Sequence, residues 1–324
     1  MVWDEIFRSQ LADRRQRLEA AIATSHDSGR LVSLLQEVDA TLERIGTPQF
    51  GLCVHCRQPV EAARLLANPM VRTCLECLSA EEQRALEADL EMAGRIQQGL
   101  LPKGGKFDGW DVGLHYWPAG PVSGDYCDLI PDSHEPGSLY FLLGDVSGKG
   151  VSASLLMAHL HAMFRSFIAM GLPVDRLVQQ ANHVFCESTI STHFATLACG
   201  RARPSGEIEL CNAGHCPPLV VRGRTVTALE VTGLPIGIFC TGEYSVVRAQ
   251  LAPGEVLVLY SDGLSEAHDA SGAEYGAGRL ACLLTANGVA TAQDLVSACL
   301  QDLRGFLGPR RPSDDLTLLV LRRA

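Results

Sequence analysis

The chain lacks several features that would assign it to common classes of protein. Its net charge of −10 over 324 residues argues against a general nucleic-acid or anionic-membrane binder, because both partners attract basic surfaces. No uninterrupted apolar run approaches the length of a membrane span. Residues 1–5 are acidic and have no apolar core, so we expect no signal peptide and a cytoplasmic protein. Internal repeats and low-complexity tracts are also missing.

Cysteine, by contrast, is abundant. Twelve cysteines in a chain without an export signal predict reduced thiols or metal ligands rather than disulfides. The length predicts two or three domains, and a hydrophobic content of 47% is ample for a packed core.

A glycine-rich loop follows an apolar run within residues 139–154. The run LYFLL predicts a buried strand that ends at Gly144-Asp145, and Gly148 and Gly150 then allow a tight turn before a helical pattern. A carboxylate in this place suits a hard cation, which binds carboxylate and carbonyl oxygens. A plain turn and a nucleotide-phosphate loop are rival interpretations, although the spacings GxGxxG and GxxxxGK(S/T) are both missing.

Three further acidic positions stand beside predicted strands or glycines. Asp125 lies in SGDYCD, Asp262 follows the strand LVLY, and the pair Asp314-Asp315 precedes the strand LTLLV. Aspartate and glycine are common in turns, which is the simpler explanation for any one of these positions. The four positions together indicate a cation site.

Five ordered motifs carry a resemblance to a known family. They are SGDYCD, GDVSGKG, CNAGHCPPL, LYSDGLSEA and DDLTLLVLR. In this order they resemble the bacterial PP2C-type serine/threonine phosphatases of the SpoIIE and RsbU branch, over about residues 97–322. The resemblance implies two packed β-sheets with helices outside, which hold two Mn²⁺ or Mg²⁺ ions at one edge.

The resemblance also implies the roles of individual residues. The catalytic set is Asp125, Asp145, Asp262 and Asp314. Asp145 would bridge both ions, and the Val146 carbonyl would ligate one of them. Asp125 would serve the second ion and Asp262 and Asp314 the first, with Asp315 as the alternative to Asp314. A water activated by the ions would attack the phosphorus of phosphoserine or phosphothreonine.

Other polar residues near these motifs allow two interpretations each. Lys149 contacts substrate phosphate or is a solvated loop lysine. His215 is a general acid or shapes the sheet beside the site, and Glu266 reaches the metals through water or is simply exposed. Asp128 is expected to be structural, and Ser123 stands where the family usually has glycine.

The strand and helix patterns favour an α+β fold, since strands arrive in meanders and helices are grouped apart. Predicted strands cover residues 112–117, 194–199, 208–212, 218–221, 226–231, 244–250 and 256–260. Predicted helices cover residues 172–188, 278–286 and 292–307.

Two CxxC pairs predict a zinc site before the phosphatase-like region. Cys53 and Cys56 form one pair, and Cys74 and Cys77 the other. Two such turns complete a tetrahedron of thiolates around structural zinc, and a redox role is the rival interpretation. Residues 42–78 resemble the zinc finger of the DksA/TraR family. That family regulates RNA polymerase through a long hairpin with an acidic tip, which is short here, so we expect a structural or partner-docking finger.

The remaining N-terminal sequence is predicted to be helical. Two apolar stripes predict a helical hairpin with a turn at residues 25–29 that buries them against each other. A homodimer interface formed by these helices is the alternative. A helix over residues 79–101 should begin with a capping box of Ser79 and Glu82. The predicted divisions are a hairpin (1–46), a four-cysteine zinc finger (47–78), a linker helix (79–102) and a PP2C-like domain (103–324).

The sequence thus predicts a metal-dependent protein phosphatase with a PP2C-like β-sandwich. The resemblance implies a phosphorylated anti-sigma-factor antagonist as substrate, in a partner-switching pathway. The N-terminal module would regulate activity through the linker helix, or the helix is a passive connector. The alternative function is a non-catalytic, transcription-linked regulator whose finger docks on a partner and whose phosphatase-like domain is a sensor. No nucleic acid or membrane partner is expected.

Overall fold

The chain divides into two compact units, residues 1–89 and residues 90–324. The structure, a computed structural model, describes residues 2–24, 29–189, 193–286 and 291–324. The predicted divisions at 46, 78 and 102 stay predictions, because the break between the units falls within a helix.

The N-terminal unit is a helical hairpin followed by a small irregular segment. Its helices are α1 (Val2–Thr24), α2 (Gly29–Arg44), the short α3 (Ala62–Ala67) and a 3₁₀ turn at Leu75–Cys77. Both predicted apolar stripes pack into one core, which also takes in cysteines of the finger. The core residues are Phe7, Leu11, Val38, Ile45, Cys53, Val60, Leu65 and Cys74. Apart from Gly29, the predicted turn lies outside the described residues.

Helix α4 (Ala80–Leu100) begins at the predicted capping box. The backbone N–H of Glu82 donates to Ser79 Oγ, and the backbone N–H of Ser79 donates to a Glu82 carboxylate oxygen, at 3.2 and 2.9 Å. This reciprocal pair satisfies donors that the first helical turn leaves without partners, so the prediction is confirmed.

Within the described residues, the C-terminal unit contains two antiparallel sheets. The first has the order β1 (Gly105–Phe107), β2 (Trp110–Trp117), β11 (Leu316–Arg323), β10 (Val256–Tyr260), β7 (Leu219–Arg222) and β8 (Thr225–Ala228). The second has the order β3 (Asp125–Pro131), β4 (Leu139–Val146), β5 (Ala195–Ala202), β6 (Glu207–Ala213) and β9 (Val247–Gln250).

Side chains alternate between the two faces of each strand, and this alternation produces two core layers in the C-terminal unit. In β10, Leu257 and Leu259 join the core between the sheets, while Val256, Val258 and Tyr260 join a second core on the outer face. Helices α8 (Gly276–Ala286) and α9 (Ala292–Leu307) cover that outer face, and α5 (Val151–Ala169) and α6 (Val174–Ser188) cover the other sheet. The four-residue α7 (Asp262–Ser265) follows β10. The predicted α+β sandwich with flanking helices is confirmed.

Helix α5 is long and strongly apolar. Among the described residues it is the one helix long and apolar enough to cross a membrane, a match that the sequence patterns did not predict. Its buried side chains, including Met157, Leu160 and Phe164, pack into the core over the five-stranded sheet. A core helix passes the same test of length and composition. This packing accounts for part of the apolar character of α5, while Val151 and Leu155 are exposed.

Some predicted elements were wrong in their extent. The bounds 256–260 and 292–307 match β10 and α9, whereas β8 and β9 are shorter than predicted. Strand β3 was not predicted at all, because Asp125 and Asp128 interrupt its apolar pattern. Both aspartates are nevertheless buried in the strand.

Candidate metal and active site

Four strand ends bring the predicted aspartates to one edge of the sandwich. Asp125 lies directly opposite Asp145 in the β3–β4 ladder. Strands β10 and β11 are antiparallel, so Asp262, just after β10, and Asp314, just before β11, lie at the same end of the other sheet. The Thr317 hydroxyl donates to Asp125 Oδ2 and so joins the two sheets at this edge.

The carboxylates repel one another, and their pKa values reflect it. Burial, followed by the charges of Asp262 and Asp314, raises the pKa of Asp145 to about 7. Burial and the Asp314 carboxylate also raise the pKa of Asp262. For Asp125, which is 1% exposed, burial and then Asp145 raise the pKa well above its usual range. Protons or cations must offset this accumulated negative charge.

The donor atoms at this edge fit a hard divalent cation. Asp125 Oδ1 is buried and has no hydrogen-bond partner among the described residues. The Val146 carbonyl oxygen and Asp145 Oδ1 lie 3.0 and 3.2 Å from the point where a Cβ on Gly124 would stand. Both oxygens therefore face one small volume that only glycine leaves open. Carboxylate and carbonyl oxygens are the donors that Mg²⁺ and Mn²⁺ prefer.

The two members of the acidic pair have different surroundings. Both carboxylate oxygens of Asp315 accept backbone hydrogen bonds, from Ala119 at 2.7 Å and Gly124 at 2.8 Å. Asp314 instead faces the Lys149 ammonium, with 2.7 Å between Nζ and Oδ2. Asp315 thus holds the loop before β3, whereas among the described residues Asp314 accepts only from the adjacent Asp315 N–H, at 3.0 Å, and from a lysine side chain.

The aspartates converge less tightly than the cysteines of the other unit. Across the described ranges, only the four cysteines bring three or more metal-ligating side chains together with all donor atoms within 4.8 Å. The carboxylates carry like charges, and Lys149 is the cation that pairs with one of them, Asp314, in the described structure.

A cavity of about 320 Å³ opens beside the aspartates. Its lining includes Asp145, Asp262, Glu266, Phe194 and Thr196. Glu266 is exposed at the rim and also lines a second cavity that reaches Asp314. Phe194 and Thr196 were not among the predicted site residues, because neither belongs to a motif and only the fold brings them here. Asp145 and Asp262 are therefore accessible from solvent through this cavity.

His215 also lines this cavity, but its surroundings favour the structural interpretation. Its Nδ1 lies 2.8 Å from the Thr196 hydroxyl, and its backbone N–H donates to Asn212 Oδ1 at 2.8 Å. Burial lowers the pKa of His215 to about 4. The ring is therefore neutral near pH 7 and is not poised as a general acid.

A glutamine on α4 holds the residue that precedes this site. Gln97 Nε2 donates to the Ser123 carbonyl at 2.7 Å, and the Ser123 N–H donates to Gln97 Oε1 at 2.9 Å. Ser123 Oγ in turn accepts from the Asp125 N–H. Sequence reasoning missed Gln97, because a lone glutamine in a helix gives no signal of a long-range contact.

Asp128 has a structural role, as the sequence predicted. It is fully buried, and Arg165 on α5 donates to both of its oxygens at 2.8 Å. Both carboxylate oxygens of Asp128 are therefore engaged in the ion pair that holds α5 against β3.

The four cysteines form a second candidate metal site, in the N-terminal unit. Cys56 Sγ and Cys74 Sγ are 3.5 Å apart, and His55 between the ligands is exposed as predicted. Burial raises the pKa of Cys53, but backbone hydrogen bonds, first from Cys56, outweigh it and lower that pKa to about 6. Hydrogen bonds with Cys56 and Cys74 raise the pKa of Cys77 to about 12. This four-cysteine cluster is compatible with zinc, which binds four thiolates tetrahedrally.

Comparisons with known proteins give a family match within the C-terminal unit. The family model described as Stage II sporulation protein E (SpoIIE) matches residues 135–324. The matched region contains Asp145, Asp262 and Asp314 and begins after Asp125. Protein IcfG of Synechocystis sp. is 27% identical over 267 residues, which cover 72% of this chain and 41% of IcfG. This chain thus spans less than half of IcfG.

A second relative is covered more fully. The phosphoserine phosphatase RsbU of Bacillus subtilis is 28% identical over 245 residues, which cover 74% of this chain and 72% of RsbU. The RNA polymerase-binding transcription factor DksA of Haemophilus influenzae is 30% identical over 73 residues, 22% of this chain and 50% of DksA. The DksA similarity is partial and supports the zinc finger only weakly.

Solved structures share the fold. The RsbU and RsbW domains of Rv1364c from Mycobacterium tuberculosis superpose with a TM-score of 0.58 at 27% identity, over 70% of this chain and 63% of that one. The SiaA-PP2C domain of Pseudomonas aeruginosa gives a TM-score of 0.63 at 21% identity, over 75% of this chain and 99% of that one. The second likeness concerns the fold alone.

Proposed function

This chain belongs to the Stage II sporulation protein E (SpoIIE) family, and on that premise we propose that it is a metal-dependent, PP2C-type protein serine/threonine phosphatase. The observation that carries the proposal is the convergence of aspartates from both sheets at one edge of the sandwich. They are Asp125, Asp145, Asp262 and Asp314. The similarity to RsbU, which is named a phosphoserine phosphatase, supports the same reaction.

The aspartates would hold two Mn²⁺ or Mg²⁺ ions. In this proposal Asp145 would be shared by the two ions, and the Val146 carbonyl, which lies beside the same small volume, would help to hold one of them. Asp125 would help to hold the second ion, and Asp262 and Asp314 the first. We assign Asp315 to positioning, because backbone N–H groups take both of its oxygens.

When bound, such ions supply a water activated for in-line attack on phosphorus and offset charge on the phosphoryl oxygens. The protein side chains shape the cavity and orient the carboxylates. Asp145 and Asp262 line the cavity that admits the phosphoryl group, and the Thr317 hydroxyl fixes the orientation of the Asp125 carboxylate. Neutral His215 keeps a further charge out of the cavity wall.

The proposed substrate is a phosphorylated protein, and the finer candidate is an anti-sigma-factor antagonist in a partner-switching pathway. The similarity to RsbU and to the RsbU and RsbW domains of Rv1364c supports this choice. We place the protein in the cytoplasm, in keeping with its similarity to RsbU.

The N-terminal unit is the proposed regulatory or docking part. Cys53, Cys56, Cys74 and Cys77 would hold one structural zinc ion, and the α1–α2 hairpin is the proposed surface for a homodimer. The Gln97 clamp on Ser123 gives α4 a direct hold on the loop before Asp125. Deleting residues 1–80 tests this part: unchanged activity, oligomeric state and partner response would leave α4 a passive connector.

The direct test of the enzyme is manganese-dependent hydrolysis of p-nitrophenyl phosphate. The unaltered protein should turn over this substrate only with Mn²⁺ or Mg²⁺, and Asp145→Asn should not. Equal and negligible turnover in both forms would favour the alternative, a non-catalytic regulator whose finger docks on a partner.

A further inference from the structure

A groove in the C-terminal unit lies outside the metal site and has no role in the reaction described above. The last turns of α9, the loop after it and the ends of β2 and β11 enclose about 110 Å³. Its floor is largely apolar and includes Trp117, Leu300 and Leu316, and Trp117 is 36% exposed. A pocket of this kind accepts an apolar side chain from a partner.

The rim of the groove carries positive charge. Arg304, Arg310 and Arg311 line it, and all three are exposed. Within the described part of the chain, none of the three guanidinium groups pairs with a carboxylate, although Arg310 donates to the Asp269 carbonyl. Burial, followed by the nearby charge of Arg304, lowers the pKa of His115 in the groove wall. The rim therefore brings three exposed arginines together at one place in a chain with a net charge of −10.

The groove adjoins the edge that carries the aspartates. Its lining residues Pro312 and Leu316 bracket the segment with Asp314 and Asp315. Trp117 pairs with Leu316 across the β2–β11 ladder. A segment bound in the groove therefore lies next to the strand ends at which a phosphoryl group would react.

We propose that this arginine-rimmed groove docks an acidic segment of the phosphoprotein substrate and seats one of its apolar side chains on the floor. The proposal rests on the phosphatase function and adds how the protein selects its substrate. Complementary charge favours an acidic occupant, because arginine recognises carboxylates through paired hydrogen bonds. The adjoining aspartate edge favours an occupant that carries the phosphorylated residue.

Synthetic phosphoserine peptides provide the test. One set carries a flank of Asp and Glu around a single Leu, and a matched set carries Asn and Gln around the same Leu. Both sets use linkers of increasing length to the phosphoserine. The unaltered protein should prefer the acidic set by about tenfold in kcat/KM, with the difference in KM. Replacing the Leu by Ser should weaken the preference.

The double variant Arg304→Glu/Arg311→Glu should abolish that preference and leave hydrolysis of p-nitrophenyl phosphate within about twofold, since no flank is present to bind. The matched control is Lys106→Glu/Arg224→Glu, which makes the same change in charge at exposed positions outside the groove. The control should keep the preference. No preference at any linker length, or equal loss in both variants, would overturn the proposal.

Failure of the groove and failure of the enzyme can be told apart. If the unaltered protein does not hydrolyse p-nitrophenyl phosphate, the phosphatase proposal fails, and fluorescence anisotropy of a labelled, unphosphorylated acidic peptide then tests the groove alone. Binding that Arg304→Glu/Arg311→Glu abolishes would support docking. Absence of binding would overturn the docking proposal. It would also be overturned if light scattering showed a dimer that Arg304→Glu/Arg311→Glu dissociates and the control variant does not.

Discussion

The four cysteines come from two short loops of one small unit, whereas the four aspartates come from the ends of four elements in two sheets. The cysteine sulfurs lie within 4.8 Å of one another, and the carboxylates are more widely spaced. The arrangement of the cysteine cluster is fixed by two local turns. The arrangement of the aspartate cluster depends on the whole sandwich, so each aspartate can be recognised in the sequence but their convergence cannot.

The comparison also concerns charge. In the cysteine cluster the pKa values move in opposite directions: that of Cys53 is lowered to about 6 and that of Cys77 is raised to about 12. The aspartates are crowded enough that burial and mutual repulsion raise the pKa of Asp145 to about 7. We therefore expect the thiolate site to govern folding of the N-terminal unit and the carboxylate site to govern catalysis.

The largest expected effect is that of Asp145→Asn. The change should lower manganese-dependent turnover of p-nitrophenyl phosphate by roughly a thousandfold, or about 4 kcal/mol of barrier, because it removes the proposed bridging carboxylate. The zinc content should stay unchanged. Asp108→Asn, at an exposed position outside the cluster, is the control and should behave as the unaltered protein. Retained turnover in Asp145→Asn would remove the distinction between the two sites.

A smaller effect is expected from Gln97→Ala. The change leaves two buried backbone groups of Ser123 without partners, which costs about 1–3 kcal/mol per group and loosens the loop before Asp125. We expect about a tenfold loss of turnover or a higher manganese requirement, measured by titration of the rate with Mn²⁺. Gln98→Ala, on the exposed side of α4, should have no effect. Identical rates in the two variants would show that the clamp is passive.

The pH dependence of stability should distinguish the aspartate site from the cysteine site. The raised pKa of Asp145 means that the folded chain without Mn²⁺ binds a proton more tightly than the unfolded chain. That stabilisation is complete below about pH 4 and is lost as the pH rises through about 7. Added Mn²⁺ competes with protons, so it should raise Tm more at pH 8 than at pH 5.5, by about 2–4 °C. Scanning calorimetry of the C-terminal transition measures this, and a larger shift at pH 5.5 would contradict the assignment.

The smallest effect on catalysis should come from Cys53→Ser. Loss of one ligand should release zinc and abolish cooperative unfolding of the N-terminal unit, since structural zinc sites supply folding energy. Basal hydrolysis of p-nitrophenyl phosphate should change by less than about threefold, a difference below 1 kcal/mol. Cys282→Ser, at an exposed cysteine of the other unit, is the matched control. Loss of basal turnover along with zinc would mean that the two sites are not independent.

The cysteine and aspartate sites also differ in how well the sequence predicted them. The CxxC pairs, the Ser79–Glu82 capping box and the bounds of α9 depend on neighbours in the chain, and all three appear as predicted. The five motifs also indicated a fold with two sheets. Pattern rules work where a few adjacent residues decide the structure.

The misses that concern the candidate site involve partners far apart in the sequence. Strand β3 was missed because its two aspartates are stabilised by distant partners, Thr317 for Asp125 and Arg165 for Asp128. The positioning role of Asp315 depends on backbone groups nearly two hundred residues away, at Ala119 and Gly124. Such roles become visible only when the sheets are assembled.

The central claim is that aspartates from both sheets form a site for two divalent cations. Isothermal titration of Mn²⁺ into the zinc-loaded protein tests it most directly, because zinc keeps the cysteine site from taking manganese. We predict two Mn²⁺ ions per chain for the unaltered protein and loss of this binding in Asp145→Asn. Binding that is absent from the unaltered protein, or unchanged in Asp145→Asn, would contradict the claim.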